Sequence, residues 1–143
     1  EVFDSIVVMI HKEVADRLCS QPGSADFGAI TLAVTYKAEV EKCFSVSAGN
    51  FIPPPKVTSS VIKMNIREEP PVSPKSVENM FALIRAAFAQ RRKTFSNAVR
   101  AASSKYSKED IENALISLGL PADVRGEKLG LCEYAALSDI LPL

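Results

Sequence analysis

The chain has 143 residues, 47% of them apolar and 24% charged, and its 17 basic and 17 acidic side chains leave no net charge. That length fits one ordinary domain or two very small ones, and the composition excludes a disordered or fibrous chain. No apolar run reaches the roughly 18 to 20 residues a membrane-spanning helix needs, so no membrane partner is expected.

Ser5-Ile6-Val7-Val8-Met9-Ile10 is a short apolar run rich in β-branched residues and followed at once by charge. It reads as a strand buried on both faces, as in parallel sheets. His11 to Leu18 then has the look of the helix that follows such a strand. Residues 21–24 (Q-P-G-S) form a loop, and Ala29 to Lys37 predicts a second helix, with Ile30, Leu32, Val34 and Tyr36 as its apolar contacts. Val40 to Val46 predicts a second strand. Thr58 to Ile66 alternates, with Ile62, Met64 and Ile66 on one face, and reads as a half-exposed edge strand.

Between these two strands lies N-F-I-P-P-P-K-V, residues 50–57. Three consecutive prolines forbid a helix and cannot donate to a sheet ladder, so this is a stiff loop with Phe51 at its mouth. Phe51 admits two readings: an aromatic plug for a small core under the loop, or an exposed ring on which a base can stack.

Residues 68–74 (E-E-P-P-V-S-P) are acidic, proline-rich and without periodicity. They divide the chain into an α/β part over 1–67, a linker over 68–75 and a helical part over 76–143. Ser76 is placed to cap a long helix whose stripe carries Val77, Phe81, Ile84, Phe88, Phe95 and Val99. Ser107 with Asp110 resembles a capping box for a helix through Ile111, Leu115 and Leu118, ending at Gly119. A last short helix holds Tyr134, Leu137 and Leu141. Three strands and two short helices cannot cover a strand buried on both faces, so the sheet is expected to continue in a larger protein.

Zero net charge conceals an asymmetry. Lys75 to Lys108 holds eight basic residues and one acid, a segment charge of +7 balanced by −7 elsewhere. On a continuous helix at ~100° per residue, Arg91 and Arg92 fall on either side of the apolar stripe, Arg85 and Arg92 share a flank, and Lys93 points away. Guanidinium groups anchored beside apolar surface suit phosphates. The plainer alternatives are a solvated helix face, or packing against the acidic remainder of the chain.

Enzyme signatures are missing. The six glycines make no G-x-G-x-x-G or phosphate-binding loop, and Ser59 and Ser60 have no plausible base. The lone His11 reads as a buried or capping residue rather than a ligand. Cys19, Cys43 and Cys132 are odd in number and widely spaced, which favours reduced thiols in a cytoplasmic protein over a disulfide framework or a metal site.

Taken together, F-D-S-I-V-V-M-I-H-K-E-V-A-D-R-L, G-A-I-T-L-A-V-T-Y-K-A-E-V-E, N-F-I-P-P-P-K-V-T-S-S-V-I-K, A-F-A-Q-R-R-K-T-F-S-N and V-R-G-E-K-L-G-L-C-E-Y-A-A-L resemble the rRNA adenine dimethyltransferases across almost the whole chain. The resemblance implies the C-terminal part of a Rossmann-like, S-adenosylmethionine-dependent class I methyltransferase sheet followed by a small all-helical rRNA-docking domain. The family dimethylates two adjacent adenosines of small-subunit rRNA during ribosome biogenesis. Its glycine-rich cofactor loop, acidic ribose ligand and N-[LI]-P-[YF] catalytic motif have no counterpart in these residues. Catalytic and cofactor-binding residues are therefore expected outside this chain, which alone would be inactive, and no metal is expected.

By the same resemblance Phe51 would pack against a flipped target adenine, and Arg91, Arg92 and Lys93 would contact rRNA. Arg85 and Arg100 extend that basic surface. His11 stands where the family commonly has Gln. The expected partner is small-subunit rRNA or the immature small subunit, met as a monomer in the cytoplasm. The competing reading is a nucleic-acid-binding or assembly module of the same fold without methylation chemistry.

Overall fold

The computed structural model describes residues 3–143; Glu1 and Val2 lie outside the described residues. Its elements run β1 (Ser5–His11), α1 (Lys12–Leu18), α2 (Ala29–Lys37), β2 (Ala38–Val46), β3 (Ser59–Ile66), α3 (Val77–Ala89), α4 (Phe95–Ala102), α5 (Lys108–Ser117) and α6 (Leu131–Ile140). The fold is α/β, and most element boundaries fall within two residues of those the sequence patterns predict.

Among the described residues the sheet has three strands in the order β1-β3-β2, both pairs antiparallel. One expectation is corrected here: β3 is not an edge strand but the central one. β1 pairs antiparallel with β3, and Val7 and Met9 are 60% and 51% exposed, so these residues do not themselves supply the burial on both faces expected for it. An apolar run records that a strand can be buried, not which neighbour buries it. The alternation of β3 reflects instead a sheet covered on one face only.

The covered face carries Val8 opposite Ile62 and Ile6 opposite Met64, with Val40 on the far side of Met64. α1 lies over it, and Ala15 and Ile62 are both fully buried. Truncating a side chain buried like Ile62 costs about 2–5 kcal/mol. On the open face, Met9, Val61 and Phe44 form a row across all three strands. Phe44 reaches that row because the β2–β3 register shifts between Lys42 and Phe44, a bulge that turns its ring to the opposite side from Val40 and Lys42. Asp16 on α1 pairs with both Lys12 and Lys42 and so ties the helix to β2.

α2 faces the other way. Leu32 and Tyr36 are buried together with Phe27 in one apolar cluster that continues into α3, α4, α5 and α6. The Tyr36 and Phe81 rings meet edge to face at 5.5 Å. Ile30, expected as an apolar contact, is 50% exposed, and Val34 is half-buried. His11, expected to be buried or to cap, is exposed; it occupies the N-cap position of α1 and makes no side-chain capping bond.

The single long helix from Ser76 onward is two helices. The Ser76 hydroxyl accepts from Asn79 N and starts α3 as expected, but α3 ends at Ala89 and α4 starts at Phe95 under a second cap, Thr94 Oγ1 accepting from Asn97 N. Phe88 and Phe95 are seven residues apart, so the apolar stripe stays in phase across the break. Both rings lie about 6 Å from Tyr134 (6.3 and 6.2 Å), and the shared target hides the interruption from the pattern. The Ser107–Asp110 capping box is present in both directions, at 3.1 and 3.0 Å. α5 closes at Gly119, whose φ of +76° is a conformation that glycine adopts without strain.

Candidate nucleic-acid interface

The break between α3 and α4 decides where the basic motif points. Arg91, Arg92 and Lys93 lie not on helix flanks but in the five-residue loop 90–94, and all three are exposed. The expected flank shared by Arg85 and Arg92 is corrected accordingly. Arg85 stands on α3 and Arg100 in the last turn of α4, both exposed.

The loop is held from two sides. Arg91 Nη2 donates to Phe27 O at 2.7 Å and to Ala25 O at 3.2 Å, and lies 3.6 Å from Glu127 Oε2. Phe95 N donates to Val124 O at 2.7 Å, and Gly23 N to Glu127 O at 2.7 Å. Segments 23–27, 90–95 and 124–127 are thus tied pairwise, although they are far apart in the chain. Between them opens a cleft of about 490 Å³ lined by residues 23–25, Arg91, Arg92, Arg125 and Glu127.

Arg125 is the functional candidate that sequence reasoning missed. It lies outside the basic segment, between Val124 and Gly126, and only the tertiary ties bring it beside Arg92. The one available signal was its place in the V-R-G-E motif. Arg92, Lys93 and Arg125 are exposed and form no ion pair among the described residues, so their charge is available to an anion.

The turn at 124–127 is itself anchored to the core. Gly126 is buried, and a Cβ there would lie 2.7 Å from Tyr134 Oη and 2.9 Å from Ala87 Cβ. Its carbonyl accepts a 2.8 Å bond from the Tyr134 hydroxyl. Burial pushes the Tyr134 phenol well above its ordinary value of 10, which keeps it a neutral donor.

Phe51 lies elsewhere, in the loop joining β2 to β3, and lines none of the clefts that hold the cations. Its ring is half-buried, Ile52 beside it is fully exposed, and Phe51 N donates to Ala48 O at 3.3 Å. Lys12 N donates to Thr58 O at 2.9 Å and pins the end of the proline segment to the start of α1. Ser60 is fully buried on the covered face of the sheet, with no hydrogen-bond partner for its hydroxyl among the described residues, so it is not a nucleophile open to substrate.

No group of three or more His, Cys, Asp or Glu side chains among the described residues is arranged to hold a metal ion. No helix among them is long and apolar enough to cross a membrane. Hydrogen bonds from Lys12 and then Lys42 hold the Asp16 carboxyl below its ordinary value, and burial raises the Cys19 thiol, which makes it a poor nucleophile.

The family described as "Ribosomal RNA adenine dimethylase" matches residues 1–129, and the chain belongs to that family. It is 44% identical to the "Ribosomal RNA small subunit methyltransferase A" of Geobacillus thermodenitrificans over 138 residues, 95% of this chain and 47% of that protein. The chain thus spans about half the length of the curated relatives it matches. Among solved structures, a dimethyladenosine transferase from Plasmodium falciparum aligns with a TM-score of 0.72 at 22% identity, over 94% of this chain and 56% of the other. A 23S rRNA methyltransferase, ErmE, aligns with a TM-score of 0.66 at 19% identity, over 98% and 55%. Both likenesses support the Rossmann-like assignment of the fold.

Proposed function

We propose that the chain is the C-terminal portion of a small-subunit rRNA (adenine-N6,N6)-dimethyltransferase, a cytoplasmic, monomeric enzyme that dimethylates two adjacent adenosines during ribosome biogenesis. The α/β part over 1–67 would supply the end of the catalytic sheet and the target-base loop, residues 68–75 the linker, and 76–143 the rRNA-docking unit. The observation that carries this reading is the family match over 1–129 joined to a cleft in the same residues whose Arg92 and Arg125 form no ion pair among the described residues.

In this reading the division of labour follows from chemistry. Phosphate contacts fix the position of an RNA, and the base to be modified must leave its stack to reach a methyl donor. Arg92, Lys93 and Arg125, with Arg85 and Arg100 on the flanking helices, hold phosphates, and Arg91 belongs to the same basic loop. Phe51 offers its face to the extruded adenine. S-adenosylmethionine would supply the methyl group, but the residues of this chain do not fit it: the β1–α1 connection contains no glycine, and neither glycine that starts a helix, Gly28 before α2 or Gly130 before α6, follows a strand. No transfer step is therefore assigned to them. The open row Met9–Val61–Phe44 and the outer edge of β1 are where the rest of the sheet and its covering helices would sit.

The test is affinity for small-subunit rRNA measured against salt. Several phosphate contacts predict a steep fall of log K with log salt, which flattens when Arg91, Arg92 and Lys93 become alanine. A flat dependence in the unmutated chain would sink the docking role. Radiolabelled methyl transfer by this chain alone would overturn the placement of the chemistry outside it. In a chain as long as the curated relatives, rRNA binding without methyl transfer would favour a non-catalytic assembly module.

A further inference from the structure

Three consecutive cations in one exposed loop would ordinarily be read as equivalent phosphate ligands. Their surroundings say otherwise. Arg92 and Lys93 have no ion pair among the described residues, whereas Arg91 Nη2 donates to Phe27 O and Ala25 O and lies 3.6 Å from the Glu127 carboxylate. Glu127 offsets its charge, so Arg91 contributes least to the field an approaching polyanion meets. Phe27 is itself 3% exposed and tilted against Phe88 at 6.2 Å, so the carbonyl that Arg91 grips belongs to the core rather than to a loose loop. The backbone bonds Gly23 N–Glu127 O and Phe95 N–Val124 O close the other two sides of the same frame.

We infer that Arg91 is a positioning residue: it braces segments 23–27, 90–95 and 124–127 against one another and so fixes the cleft across which Arg92 and Arg125 face RNA. This rests on the docking reading above and deepens it. Without the brace the loop keeps Arg92 and Lys93 but loses the wall that sets their direction relative to Arg125.

The experiment compares Arg91→Ala, Arg92→Ala and the double variant in the full chain, reading thermal midpoint and rRNA affinity across a salt series. Arg92→Ala is expected to leave the midpoint unchanged and to reduce the salt slope by about 0.7–0.9, the loss of one phosphate contact. Arg91→Ala is expected to lower the midpoint by about 3–8 °C, from the loss of charged hydrogen bonds, and to leave the slope unchanged while affinity falls. In the Arg91→Ala background, Arg92→Ala should cost less affinity than it does alone, a coupling that destabilisation by itself would not produce. An Arg91→Ala variant with an unchanged midpoint and a slope reduced like that of Arg92→Ala would make Arg91 a phosphate ligand and overturn the inference. Strict additivity in the double variant would overturn it as well. A flat slope in the unmutated chain would instead remove the docking reading on which it rests.

Discussion

The Tyr134 hydroxyl, fully buried in α6, donates to the carbonyl of Gly126 at 2.8 Å, and that bond fastens the turn bearing Arg125 and Glu127 to the centre of the helical core. The same ring lies near Phe88 and Phe95, the residues on either side of the basic loop. One aromatic side chain therefore supports both walls of the cationic cleft. Tyr134→Phe keeps the ring and leaves the carbonyl with only its second donor, Leu129 N at 3.2 Å, so a loss of about 0.5–1.5 kcal/mol is expected in denaturant unfolding.

Gly126 should tolerate no side chain. A Cβ there would meet Tyr134 Oη and Ala87 Cβ at 2.7 and 2.9 Å, and neither neighbour can retreat within a packed core. Gly126→Ala is expected to cost about 1–3 kcal/mol, as overpacking does. Gly49→Ala, where an added Cβ meets nothing within 4 Å, should stay within about 0.5 kcal/mol.

Phe51 separates its two readings by stability. As a ring at the rim of a loop, Phe51→Ala should shift the unfolding midpoint little. As a core plug it would cost about 3–5 kcal/mol, the figure expected for the fully buried Phe95→Ala in the same assay.

Acid should loosen two local ties. Asp16, hydrogen-bonded by Lys12 and Lys42, and Asp110, hydrogen-bonded by Ser107, both have carboxyls held below the ordinary 3.8. A carboxyl depressed on folding stabilises the fold above its unfolded value, and that contribution disappears as pH falls through the folded value. Stability contributed by these groups should thus be constant from neutrality down to about pH 5 and decline below about pH 4. In Asp16→Asn and Asp110→Asn together that part of the decline should be absent.

Arg125→Ala should reduce the salt slope of rRNA binding by about as much as Arg92→Ala, although the two residues are 33 positions apart. Equal slopes with and without Arg125 would place the phosphate path on the 90–94 loop and the helices alone.

Much of this molecule was legible in local chemistry. The Ser76 cap, the Ser107–Asp110 box, the glycine that closes α5, the span of α2 and the stiff proline loop follow from side chains within a few residues of each other. Such features survive reading without a structure because their causes are local. The family, too, was legible in its motifs.

What local pattern could not supply was partnership. The run Ile6 to Ile10 marked a strand, but its antiparallel neighbour and its open face depend on β3, fifty residues on, and the bulge before Phe44 depends on register with that strand. The seven-residue spacing of Phe88 and Phe95 keeps phase whether or not the helix breaks, so only their common contact with Tyr134 and the second cap at Thr94 reveal the loop. The sequence by itself determined which segments are helix or strand, the 90–94 loop excepted, and that one stretch is strongly basic. Only the tertiary structure decided that Arg91 is tied to the core, that Arg92 and Lys93 form no ion pair among the described residues, and that Arg125 joins them, because charge is a property of a residue and its availability is a property of what folds against it.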